Sequence, residues 1–149
     1  MNNNLNKEKL PLSQIAKLLK RIYRKRKRRA EELARTRKAM SMVETSLKQW
    51  VAEGKHRIKY GCLDDIIEDL GLTSVELSLY CSTKLKKTFL SWRKELRMEE
   101  AKKMLLESPE IPACKIGNSL GITDKADFRH QFKAHTGYTP SEWRKKYLK

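Results

Sequence analysis

Residues Ile111–Arg144 read IPACKIGNSLGITDKADFRHQFKAHTGYTPSEWR, and their pattern decides the fold. Ile116, Leu120 and Ile122 are apolar around a turn signal at Gly121, and Phe128 and Phe132 then recur at i and i+4, which puts both rings on one helical face. Thr139, Pro140 and Glu142 spell a helix start: a hydroxyl to cap it, a proline at the first helical position, and a carboxylate that reaches back from the third. The prediction is a helix, a sharp turn, a second helix and a capped third one, which is helix-turn-helix grammar.

Upstream lies a faint copy. Leu63, Ile66, Ile67 and Leu70 follow i, i+3, i+4, i+7 and close at Gly71, and Thr73 to Glu76 then has capping-box spacing ahead of Leu77, Tyr80, Cys81 and Leu85. Ile66, Leu70, Gly71, Leu72 and Thr73 recur fifty positions on as Ile116, Leu120, Gly121, Ile122 and Thr123. After a one-residue slip, Leu77, Cys81, Thr88, Trp92 and Arg93 recur as Phe128, Phe132, Thr139, Trp143 and Arg144. Ten positions in register imply an internal duplication. Between the copies, Phe89, Trp92, Leu96, Met104, Leu105 and Leu106 give a helix with one apolar face, stopped at Ser108-Pro109. From Trp92 to Leu106 that helix spans roughly 22 Å, a spacer that brings two reading helices near the ~34 Å separation of successive major-groove faces once the width of the flanking helices is added.

The rest of the chain differs in kind. Residues 1–40 hold 14 Lys+Arg against 3 Asp+Glu, whereas 41–149 hold 20 against 15, so a net +11 of the total +16 sits in the head. Such a head implies a polyanion partner, nucleic acid first and an anionic membrane surface second. Residues 1–9 are polar, aperiodic and expected to be disordered. From Leu12 to Trp50 neither proline nor glycine interrupts, predicting one long helix or two with a break. Steps of three and four from Leu19 to Trp50 meet seven apolar residues in ten, with Arg26 and Arg29 breaking the seam. Two readings stay open: a dimeric coiled coil, and a solvated basic helix whose end, Met42 to Val51, packs on the following domain. Arg24, Lys25, Arg26, Lys27, Arg28 and Arg29 form a non-specific basic patch suited to phosphates, RNA or acidic lipid.

Cys62, Cys81 and Cys114 have neither disulfide nor zinc spacing and read as small buried hydrophobes in a reducing cytosol. No metal or cofactor site is expected. His56, His130 and His135 stand in no catalytic motif and no glycine-rich phosphate loop is present, so no enzyme is expected. No apolar run reaches the ~18 residues of a membrane span, and no signal peptide is evident, which places the chain in the cytoplasm. Nor does any segment suggest a small-molecule effector site. Trp50, Trp92 and Trp143 read as core.

From Met42 to Tyr147, about 70% of the chain, the sequence resembles the DNA-binding domain of bacterial AraC-type transcription regulators. The resemblance is carried by FLSWRKELRMEEAKKMLLES, by Ile116, Gly121, Asp124, Phe128 and Phe132-Lys133, and by Gly137 through Arg144. It implies an all-α fold of about seven helices: two helix-turn-helix units at about 60–87 and 111–135, a linker helix at about 89–107, and a C-terminal helix at about 139–147. These make up a domain over 42–149 behind a basic extension, 1–41. It further implies double-stranded DNA as ligand and RNA polymerase as a further partner, with a weak homodimer through the N-terminal helix left open. The family's reading positions fall on Val75, Ser78 and Leu79 in the first unit, and on Lys125, Ala126, Asp127, Arg129 and His130 in the second, with Lys133, Ser141 and Arg144 at the DNA backbone. Leu79 stands where the family commonly has a polar residue, His130 where arginine is ordinary, and Gly117 where alanine is usual. Residues 41–85 carry net −2 and 86–149 net +7, so the second unit is expected to dominate. A solvated face for Lys125 and Arg129, and a protein-interaction module that keeps the fold but binds nucleic acid only non-specifically, are the alternatives.

Overall fold

The computed structural model describes residues 11–148, so the disorder expected for 1–9 lies outside the described residues. Seven α-helices occur among the described residues: α1 Leu12–Ala52, α2 Leu63–Leu70, α3 Ser74–Tyr80, α4 Phe89–Glu107, α5 Ala113–Ser119, α6 Lys125–Thr136 and α7 Pro140–Tyr147. A 3₁₀ turn, Lys55–Arg57, follows α1, and a π-helical turn, Cys81–Leu85, continues α3. The described residues divide into two parts, 11–39 and 40–148. No break interrupts the stretch that lacks proline and glycine: α1 is a single helix.

The second part is built on two apolar cores. Val43, Leu47 and Trp50 from the end of α1 join Ile66, Leu70, Leu77, Tyr80, Cys81 and Phe89 in the first. Met98, Ala101 and Leu105 from α4 join Ile116, Leu120, Ile122, Phe128 and Phe132 in the second. Helix α4, about 28 Å long at ~1.5 Å per residue, thus begins in one core and ends in the other. Repeat partners do the same job in each: Ile66 and Ile116, Leu70 and Leu120, Leu77 and Phe128, Cys81 and Phe132 are all buried. The first two turns of α4 are the equivalent of α7, since Thr88 and Thr139 both cap by accepting from the amide three residues on.

Local chemistry sets the ends. Gly71 and Gly121 both adopt positive φ, 65° and 78°, a region in which a Cβ is disfavoured. The slip in the repeat lies inside the turn, because the N-cap is Thr73 in one copy and Asp124 in the other; the sequence match of Thr73 with Thr123 is therefore off by one. A Cβ on Gly117 would approach Phe128 Cγ to 2.8 Å, so the ring occupies the space where a methyl would stand. Cys62 corrects the expectation of three buried cysteines: it is exposed, at the start of α2, while Cys81 is buried and Cys114 half-buried.

Candidate nucleic-acid interface

Helix α6 turns Phe128 and Phe132 into the second core, 1% and 0% exposed, which fixes what the other side of the helix presents. At ~100° per residue, Ala126, His130 and Lys133 lie opposite those rings, with Arg129 on one flank and Asp127 on the other, while Lys125, seven residues before Phe132, is on the ring side at the first residue of the helix. All six are exposed. His130, whose placement rested on resemblance alone, is thus on the outward ridge. Asp127 is partly occupied: its amide donates to Asp124 Oδ1 at 2.6 Å and its own carboxylate accepts from Gln131 Nε2 at 2.8 Å. Donors outnumber acceptors on this face, which suits phosphate oxygens and the acceptor edges of bases. Ser141 is exposed at the start of α7.

The matching face of α3 is different in chemistry. Leu77 and Tyr80 point inward and Val75, Ser78 and Leu79 outward, with Val75 73% and Leu79 45% exposed. In the π turn, Ser82 and Thr83 both donate their hydroxyls to the Leu79 carbonyl, at 3.0 and 2.6 Å. Of the nearby cations, Lys87 pairs with Glu95 at 2.6 Å. An apolar cleft of about 700 Å³ opens beside this helix, lined by Leu63, Ile67, Leu77, Cys81 and Phe89 among others.

Arg144 requires a correction. The sequence reading puts it at the DNA backbone, yet its guanidinium is spent inside the protein: Nε donates to the Leu105 carbonyl at 3.0 Å and a terminal nitrogen to those of Ser108, at 3.1 Å, and Ile111. It clamps the loop between α4 and α5 onto α7. Arg93, its repeat partner, does the same in the first copy, donating to the carbonyls of His56 at 3.1 Å and Ile58. Arg97 doubles that clamp with bonds of 2.7 and 3.0 Å to the same two carbonyls. Burial first, and then the charge of Arg93, pull the Arg97 pKa down to about 10. The held segment, Gly54–Ile58, is fixed from a second side by Glu100, which accepts from Arg57 and lies 2.9 Å from the buried His56 Nε2. Burial works against the Glu100 carboxylate, and the bonds from Arg57 and His56 outweigh it, leaving its pKa lowered. A carboxylate only accepts, so His56 Nε2 carries the proton there. Sequence reading missed this segment altogether; the signal was the arginine kept at both Arg93 and Arg144 although only one copy has a cationic reading face.

The Arg144→Met variant is accordingly expected to lose about 2–4 kcal/mol of folding stability, because three carbonyls lose a charged donor. Thermal unfolding checks the loss. Salt dependence of duplex binding by the folded fraction should not change; a fall of about one in that slope would restore Arg144 to the phosphates.

The basic run is spread out by its own helix. Arg24 to Arg29 are consecutive, so at ~100° per residue they point all round α1. The cations that share one face are Lys17, Arg21, Arg24 and Arg28, at i, i+4, i+7 and i+11, all exposed. Among the described residues no helix is long and apolar enough to cross a membrane, and no cluster of three His, Cys, Asp or Glu is placed to hold a metal ion.

Residues 66–146 match a family model described as a helix-turn-helix domain. The arabinose operon regulatory proteins of Salmonella typhimurium and Escherichia coli are each 40% identical to this chain over 55 residues, 37% of its length. The matched region spans only 19% and 18% of those two relatives. Among solved structures, the C-terminal domain of AraT, a response regulator from Geobacillus stearothermophilus, superposes with a TM-score of 0.62 at 22% identity, covering 72% of this chain and 87% of that one. A Listeria innocua protein of unknown function superposes at 0.59 with 26% identity, covering 70% and 95%.

Proposed function

The chain belongs to the AraC-type helix-turn-helix family, and on that premise we propose that it is a sequence-specific DNA-binding transcription regulator whose second helix-turn-helix does most of the base reading. The observation that carries this is the contrast between the two outward faces. Helix α6 offers Arg129, His130 and Lys133 around Ala126 and Asp127, with Lys125 exposed at its first residue, whereas α3 offers Val75, Ser78 and Leu79. Arginine and lysine donate to guanine acceptors in the major groove; valine and leucine offer only apolar contact, such as to a thymine methyl. Lys133 and the Ser141 hydroxyl are assigned to the sugar-phosphate backbone, which sets register rather than sequence. The Lys17, Arg21, Arg24 and Arg28 face of α1 adds affinity for any duplex through counterion release.

Selection from a random duplex pool at ~0.15 M salt, where non-specific affinity has fallen steeply, is expected to return a defined motif. Arg129→Ala should relax the preference at one position of it, at a cost of about 1–3 kcal/mol. A pool that converges on nothing overturns the proposal.

A second reading is favoured by one observation. Val75 and Leu79 stand exposed on α3, whose Ser74, Leu77 and Ser78 line the apolar cleft of the first copy, and exposed apolar side chains are what a docking face for another protein presents. On that reading the fold serves as an adaptor, the random pool yields no motif, and all duplexes bind alike.

A further inference from the structure

Helix α1 carries more than charge. Between Leu12 and Arg29 lie nine Lys or Arg and no carboxylate. The same segment holds Leu12, Ile15, Leu18, Leu19, Ile22 and Tyr23, which are 85%, 39%, 46%, 61%, 47% and 67% exposed. At ~100° per residue these six fall within one sector about 140° wide, while Lys17, Arg21, Arg24 and Arg28 take the opposite side. Six large apolar side chains in one exposed stripe call for a partner.

Charge decides between the occupants. A nucleic acid takes the cations and has no use for the stripe. A second copy would take the stripe, but its seam runs onto Arg26 and Arg29 after three turns, and pairing would set nine cations against nine without a countercharge. An anionic bilayer surface takes the stripe together with the cations at its edges: apolar side chains enter the boundary between headgroups and acyl chains, a tyrosine ring sits at that boundary, and the flanking lysines meet the lipid phosphates. We propose that the Leu12–Lys25 segment of α1 is an amphipathic anchor that lies in the plane of an anionic membrane surface, apolar stripe inward. This goes beyond DNA reading and does not depend on it. Lys20 and Lys25, beside the stripe, reach the headgroups, and each cation near the surface adds about fivefold to partitioning. The Lys17, Arg21, Arg24 and Arg28 face stays turned away from the lipid.

The test is flotation of the full chain with vesicles of phosphatidylcholine, with and without phosphatidylglycerol. The chain is expected to float with the anionic vesicles alone. The double variant Ile15→Gln, Leu19→Gln removes apolar area without altering charge or helix propensity much, and should weaken that binding by more than about tenfold. Duplex binding, measured on the same samples without lipid, should be unchanged, so a failure of DNA reading leaves the vesicle result standing. Three outcomes overturn the proposal: no flotation with anionic vesicles; flotation that the glutamines do not alter, which is adsorption by charge alone; or a lipid-free dimer in sedimentation equilibrium that the glutamines dissolve, which assigns the stripe to a second copy.

Discussion

Gly121→Ala is expected to cost about 4 kcal/mol or more of folding stability, a large share of the ~5–15 kcal/mol that holds a domain of this size. Two penalties coincide at this position. Its φ of 78° puts any L side chain in the left-handed region, worth about 1–2 kcal/mol. In addition, a Cβ built there would overlap the carbonyl oxygen of Arg57, and that carbonyl belongs to backbone held by Arg93, Arg97 and Glu100, so no side-chain rotation relieves the clash. Gly71→Ala is the control: it has the same sign of φ, 65°, and nothing within 4 Å of the added methyl. It should lose only the conformational part, about 1–2 kcal/mol. Denaturant unfolding of the two variants separates them. Equal losses would mean that Arg57 moves freely and that the second helix-turn-helix is not braced against the Gly54–Ile58 segment.

That bracing explains which features were legible in the sequence. Periodicity, glycines and capping boxes act over one or two helical turns, so Thr73, Gly71, Thr139 and the buried apolar positions of both helix-turn-helix units were readable from residue types alone, and the all-α fold with them. In α4, Met98 and Ala101 are fully buried along with Leu105, while Trp92, Leu96, Met104 and Leu106 of the expected apolar face are half-buried. The internal duplication then supplied the order of the elements. What escaped reading depends on contacts made far along the chain. Arg144 donates to carbonyls 33 to 39 residues away, and nothing in its neighbours distinguishes a cation turned inward from one turned toward DNA. Gly121 looked like any turn glycine, although its tighter constraint comes from Arg57, on a segment that no repeat or period marks. Cys62 was misjudged because apolar neighbours in sequence are not neighbours in space. On the reading face, the spacing of Phe128 and Phe132 contained the rotation of α6 all along; it is what turns Ala126, His130 and Lys133 outward once burial of the rings is established.

The cationic run shows the same difference in scale, and it carries the other large expected effect. Six consecutive basic residues look like one patch in sequence, yet a helix disperses them: of the six, only Arg24 and Arg28 share a face, with Lys17 and Arg21 ahead of them on it. Replacing those four together by glutamine is expected to weaken binding to every duplex by up to about a thousandfold at ~0.15 M salt. The figure follows from counterion release: each phosphate contact contributes about 0.9 to the salt slope, which at that ionic strength is worth about fivefold, and four contacts multiply. The slope itself should fall by about 3.6. Base preference should survive intact, because the same motif remains the best binder when all affinities drop together. Arg129→Ala is the opposite case, leaving the slope within about one of the parent while one position of the motif loses its preference. Glutamine is a good helix former and α1 is exposed along this face, so helicity should be unchanged and circular dichroism can confirm it. A quadruple variant whose salt slope matches the parent's would remove α1 from the DNA interface and leave its charge to a different polyanion.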